Sequence, residues 1–257
     1  MALARTPFHF YTSQPLIELT GLRAANLKEL LDHIKEVDGS SIYFHTHHYV
    51  REHHFLSDEY PSDFAFWVAE ILQEKELGEK LTIIDLRAFG TIRELREKLV
   101  EVIQQHLEKN GRLTESPPGL EFHFRKTLSI IVPTGITARS LAELRAGLHR
   151  VDINSIYYHL VEYRIRTESL TNDLSLWIRD NFQKESLASS IEGLDPYSLT
   201  LEECRKTMIE LLGRQERRQK LYNQFARYPS TGVAQTLREK NWFKDLKFTF
   251  QKIWYQD

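Results

Sequence analysis

The sequence predicts a mainly α fold of the α+β kind, a tandem duplicated unit of a short strand pair plus about four helices in a pseudo-two-fold arrangement. Two observations carry this. Phe8-His9-Phe10 recurs as Phe122-His123-Phe124, Thr20-Gly21 as Thr134-Gly135, and Ser41-Ile42-Tyr43-Phe44-His45 as Ser155-Ile156-Tyr157-Tyr158-His159, all at an offset of 114 residues. From Phe8 to His45 the copies match at 16 of 38 positions, against about two or three by chance from ordinary composition. The second observation is a helical apolar stripe that follows Thr-Gly in both copies.

Each unit opens with extended chain. Phe8 and Phe10 alternate with His9, as Phe122 and Phe124 do with His123, the pattern of a half-buried strand. Leu16-Ile17 and Ile130-Ile131-Val132 suit a second strand. After Thr-Gly, Ala24, Leu27, Leu30, Leu31, Ile34 and Val37 fall at three- and four-residue steps, and Leu141, Leu144, Leu148 and Val151 repeat them. Ser41 and Ser155 are candidate N-caps of a second helix. Asp63 and Asp173 are candidate N-caps of a third, which carries Trp67 or Trp177 on its apolar face. A fourth runs through Leu95, Leu99 and Ile103, matched by Cys204, Met208 and Leu212.

These landmarks divide the chain into repeat one at 1–107, a Pro/Gly linker at 108–119, repeat two at 120–212 and an extension at 213–257. Pro117-Pro118-Gly119 stops the fourth helix, since proline supplies no N–H for it. The extension opens on Arg214, Arg217, Arg218 and Lys220, is interrupted at Tyr228-Pro229, and ends in aromatics from Trp242 to Tyr255.

Composition narrows the function classes. Formal net charge is -2, so no overall field draws the protein to nucleic acid or an anionic membrane. No apolar run reaches the about 18 residues of a membrane span. The N-terminus lacks a secretory layout, and one cysteine, Cys204, fits a reducing compartment. A cytoplasmic protein is expected.

The densest chemistry lies in His45-Thr46-His47-His48-Tyr49-Val50-Arg51-Glu52-His53-His54. On a helix His45, His48 (or Tyr49) and Glu52 share a face, three or four residues apart, and Asp58, Glu59 and Asp63 follow. Imidazole and carboxylate at that spacing can chelate a divalent cation, but no HExxH or other established metal pattern is present. The second copy has Leu160-Val161-Glu162 in place of Thr46-His47-His48. The favoured expectation is therefore a solvated polar helix face. His45 and His159 stand apart because both copies keep them, each ahead of an aspartate. A buried imidazole needs a partner for its N–H, and Asp63 and Asp173 can supply one. No G-x-S-x-G, G-x-G-x-x-G or Walker loop occurs, and Cys204 sits on an apolar stripe as a core residue.

The string Ser41-Ile42-Tyr43-Phe44-His45-Thr46-His47-His48, then His53-His54-Phe55-Leu56-Ser57, then Asp63-Phe64-Ala65-Phe66-Trp67-Val68, resembles an uncharacterised bacterial family, domain of unknown function 5752. The resemblance implies a bacterial cytosolic origin and brings no activity or cofactor with it.

The expected function is a non-enzymatic protein-interaction or regulatory module with an unidentified protein partner, a possible homo-oligomer, with no cofactor. His45, His48, Glu52, Asp63, His159 and Asp173 are the candidate binding residues. One alternative is a metal-binding protein or metal-dependent hydrolase using the 45–63 cluster. The other is a nucleic-acid binder using the 214–220 basic segment.

Overall fold

In a computed structural model the described residues are 3–52, 60–110 and 113–226. They are mostly helical around a single pair of antiparallel strands, β1 (Phe8–Ala24) and β2 (Phe122–Ala138). This corrects the expected short strand pair within each unit. Each segment supplies one 17-residue strand instead, and the strand pairs with that of the other segment. Pro15 sits opposite Ser129 and Leu16 opposite Leu128.

The register slips twice, between His9 and Tyr11 and between Leu19 and Arg23. Thr20-Gly21 and Thr134-Gly135 occupy these irregularities, so they lie within the strands rather than ahead of helices. Gly21 and Gly135 have φ of 78° and 75°, values costly for any residue with a Cβ. The threonine hydroxyls hold the bulges: Thr20 Oγ1 donates to the Phe124 carbonyl at 2.6 Å and Thr134 Oγ1 to that of Phe10 at 2.8 Å. A β-bulge bends and twists a strand, and here it re-aims each Phe-x-Phe end.

After β1 come α1 (Leu27–Glu36), α2 (Gly39–Tyr43), a π-helical turn (Phe44–His48) and α3 (Tyr49–Glu52). Then follow α4 (Asp63–Phe66), a second π-helical stretch (Trp67–Ile71), α5 (Lys75–Thr82) and α6 (Ile92–Asn110). After β2, α7 (Leu141–Arg150) and α8 (Ile153–Tyr157) lead into a π-helical turn at Tyr158–Glu162. They are followed by α9 (Tyr163–Arg166), α10 (Asp173–Phe182), α11 (Glu185–Glu192) and α12 (Leu201–Ala226). Residues 1–212 form one compact unit and 213–257 a second. The tail from 227 onward, including Tyr228-Pro229 and the aromatics from Trp242 to Tyr255, lies outside the described residues.

The caps differ from expectation in an instructive way. Asp38 and Asp152, not Ser41 and Ser155, cap α2 and α8, accepting from Ser40 N and Ser155 N. Ser41 is thereby left inside, where its Oγ donates to the Arg125 carbonyl at 2.8 Å. Likewise Ser62 and Asn172 cap α4 and α10. Asp63 and Asp173 fall one residue later, with their carboxylates free to turn toward the histidines.

The two hydrophobic cores exchange strand ends. Phe8 and Phe10 are buried with Leu144, Leu148, Ile156, Trp177, Cys204 and Met208. Phe122 and Phe124 are buried with Leu30, Ile34, Phe64, Trp67, Leu95 and Leu99. Full burial of a phenylalanine side chain stabilises by about 1.5–3 kcal/mol, so each core depends on the other segment's strand. Trp67 Nε1 donates to the Leu120 carbonyl and Trp177 Nε1 to that of Thr6, both at 2.8 Å. The indoles pin the incoming chain just ahead of each Phe-x-Phe.

Candidate functional site

His45 and His159 are both buried, and each bridges its own segment to the other segment's strand. His45 Nδ1 lies 2.6 Å from Asp63 Oδ2, and its Nε2 accepts from the Arg125 backbone N–H at 2.9 Å. His159 Nδ1 lies 2.7 Å from Asp173 Oδ2, and its Nε2 accepts from the Tyr11 backbone N–H at 3.1 Å. An amide N–H can only donate, so Nε2 must be unprotonated and Nδ1 must carry the proton that meets the carboxylate. Both nitrogens of both rings are engaged, Nδ1 by the aspartate of its own segment and Nε2 by the other segment's strand.

These bonds belong to a wider device. A two-stranded sheet has two edges whose N–H and C=O groups need partners, and side chains from the helices supply them. Arg51 Nη2 donates to the Ser13 carbonyl at 2.6 Å, Arg166 Nη2 to the Ser129 carbonyl at 2.9 Å, and Ser41 to the Arg125 carbonyl. Pro15 sits in the middle of β1 and needs no N–H acceptor at all.

Beneath the strands lies a buried polar cluster. The Tyr43 and Tyr157 hydroxyls are 2.6 Å apart and fully inside, and burial raises the pKa of each phenol well above its ordinary value. His47 Nδ1 is hydrogen-bonded to the Tyr197 hydroxyl. His48 stacks on Phe44 with ring centroids 5.0 Å apart. Arg51 lies over the Tyr157 ring and donates through Nε to Asn154 at 3.1 Å.

His47 and His48 are each 1% exposed. This overturns the expected solvated face, because the π-helical turn at 44–48 presents consecutive histidines inward rather than along one helical stripe. Burial pushes the His47 pKa down to about 3, aided by the Arg164 charge. It pushes that of His48 down to about 4, with Arg51 and Arg125 adding to the effect. Glu52 closes α3, its side chain outside the described set. His53, His54, Asp58 and Glu59 also lie outside it. The structure thus joins His45 to Asp63 and His159 to Asp173. Among the described residues, no three His, Cys, Asp or Glu side chains gather as metal ligands.

Cys204 is fully buried and its thiol pKa is pushed up to about 12 by that burial, which suppresses the nucleophilic thiolate. Arg217, Arg218 and Lys220 are exposed on α12. Among the described residues no helix is long and apolar enough to cross a membrane. Sequence reasoning missed Tyr197, Arg51 and the Tyr43–Tyr157 contact. For the last, the recurrence of Ile42-Tyr43 as Ile156-Tyr157 was the available signal.

The fold defines an α+β protein, mostly helical around one two-stranded antiparallel sheet among the described residues. The chain belongs to the family of unknown function DUF5752, whose family model matches residues 5–213. It is similar to a solved structure described as the structure of OrfY from Thermoproteus tenax, at 28% sequence identity and a TM-score of 0.72. That match covers 83% of this chain and 97% of the other. No curated protein matches.

Proposed function

We propose that the protein is a non-enzymatic protein-interaction or regulatory module, built as a tandem duplication with pseudo-two-fold symmetry and acting in the cytoplasm. The observation that supports this best is the outward face of the ribbon. Seven of the 16 exposed large hydrophobics among the described residues are on its two strands, and of these Leu16, Leu128, Ile130 and Val132 share the outward face, whereas Ile17 and Leu19 alternate with it. Directly opposed residues share a face. Leu16, Leu128 and Ile130 therefore form an apolar strip, beside Gln14 and the Glu18–Lys126 ion pair at 2.9 Å. Ser13 and Thr127, at alternate positions, are buried on the side of the helices. Clustered exposed apolar area on a soluble protein marks an interaction surface, and the occupant is a protein partner or a second copy.

The metal-hydrolase alternative loses ground because His45 has no ring nitrogen left for a cation. The test is a comparison of wild type with Leu128→Glu/Ile130→Glu, followed by quantitative co-purification from the native cell and by light scattering. The variant should fold and lose either a co-purifying protein or a self-association. Identical partner profiles and identical mass would overturn the reading.

A further inference from the structure

A groove of about 410 Å³ opens between the end of α5, the 83–89 connection and α6. It is lined by the apolar Ile83, Ile84, Phe89 and Val102 and by Lys80, Lys98 and Lys109. We propose that this groove docks an acidic amphipathic helix of a partner protein. The inference rests on the interaction-module reading but uses a surface separate from the ribbon strip.

Three features point to that occupant. Ile83 is 80% exposed, an apolar side chain in water beside a recess sized for one or two apolar anchors. Lys98, Val102, Gln105 and Lys109 line the groove along one face of α6, whose Leu95, Leu99 and Ile103 are buried in the core beneath. At 1.5 Å per residue that face runs about 16 Å, the length of three turns of a helix laid along it.

Charge sets the sign of the partner. The acid lining the groove, Asp85, is already engaged by Arg87, whose backbone N and Nε lie 3.0 and 3.3 Å from Oδ1. Lys80 and Lys98 pair with Glu76 and Glu101 of their own helices. Such exposed pairs are screened by solvent and contribute little, so a partner's carboxylates displace them readily. At the matching sequence offsets of 110 and 109, the C-terminal segment has Ser190, Gly193 and Thr207 in place of Lys80, Ile83 and Lys98. Leu194, Leu211 and Arg218 keep the character of Ile84, Val102 and Lys109, so what sets the first segment apart is Lys80, Lys98 and the exposed Ile83.

The test is selection of the full-length protein against a displayed library of 14-residue amphipathic helices with randomised polar faces. Enriched helices are then titrated as labelled peptides by fluorescence anisotropy. The expected result is enrichment of acidic polar faces, with binding that weakens as salt rises. Affinity should fall at least tenfold in Lys98→Glu/Lys109→Glu and in Ile83→Asp, both checked for folding by circular dichroism. Leu128→Glu/Ile130→Glu should keep peptide binding, which separates failure here from failure of the ribbon strip. Enrichment of basic or neutral faces, binding indifferent to the groove substitutions, or uptake of dodecanoate with no helix selected would each overturn the proposal.

Discussion

The hydroxyls of Tyr43 and Tyr157, residues 114 apart in the chain, meet at 2.6 Å in the buried interior. Each satisfies the other, and each lies in a helix that follows a different strand. Removing one hydroxyl leaves its partner buried with a lost bond, at about 1–3 kcal/mol, whereas removing both leaves nothing unmatched. Tyr43→Phe and Tyr157→Phe should therefore each destabilise, and the double variant should cost clearly less than their sum. Urea denaturation of the four proteins gives the coupling directly. Strict additivity would show that the contact contributes nothing.

The two histidine bridges predict equal sensitivity at two distant positions. His45→Ala and His159→Ala each leave a part-buried strand N–H and an aspartate without this partner, and each leaves a void beside a Phe-x-Phe pair. His45 contacts Phe122 and Phe124, and His159 contacts Phe8 and Phe10. Losses of about 2–4 kcal/mol are expected for each. Denaturation midpoints within error of wild type for either variant would refute the bridging role.

Much of this arrangement was legible in the chain. The repeated His with a downstream Asp announced a buried tie because a lone imidazole inside a protein needs a partner. Cys204 and the tryptophans read correctly from helical spacing. The strand partnership was hidden, since alternation of Phe8 and Phe10 fixes a face but not which strand lies alongside. Thr20-Gly21 looked like a break between elements because a bulge glycine and a turn glycine carry the same signal. His47 and His48 read as surface because polar runs usually are, and the π-helical turn that buries them has no sequence signature of its own.

The glycines separate two physical costs. A Cβ built on Gly21 or Gly135 meets no atom within 4 Å, so Gly21→Ala and Gly135→Ala cost only backbone strain, about 1–2 kcal/mol. Gly147 lies within α7, where alanine would ordinarily gain about 1 kcal/mol. Its Cβ, however, would sit 2.3 Å from Cε2 and 2.7 Å from Cζ of Phe10, a ring that is 1% exposed. Gly147→Ala should lower the melting temperature despite its better helix propensity. An increase would mean that the β1 end is not seated against α7.

Stability should fall with acid through His47 and His48. Their folded pKa values, about 3 and about 4, lie below the unfolded value of 6.5. Below pH 6.5 the unfolded chain takes up protons at these two positions while the folded chain does not. Stability is full above pH 6.5 and declines as pH falls toward 5. In that window the pair contributes a proton uptake on unfolding that approaches two. His47→Gln/His48→Gln lowers stability at neutral pH, because it perturbs a buried cluster, but it should flatten the slope between pH 6.5 and 5. Urea midpoints across that range for both proteins provide the check. A variant whose pH slope equals that of wild type would show that these two rings are protonated as readily inside the protein as outside it.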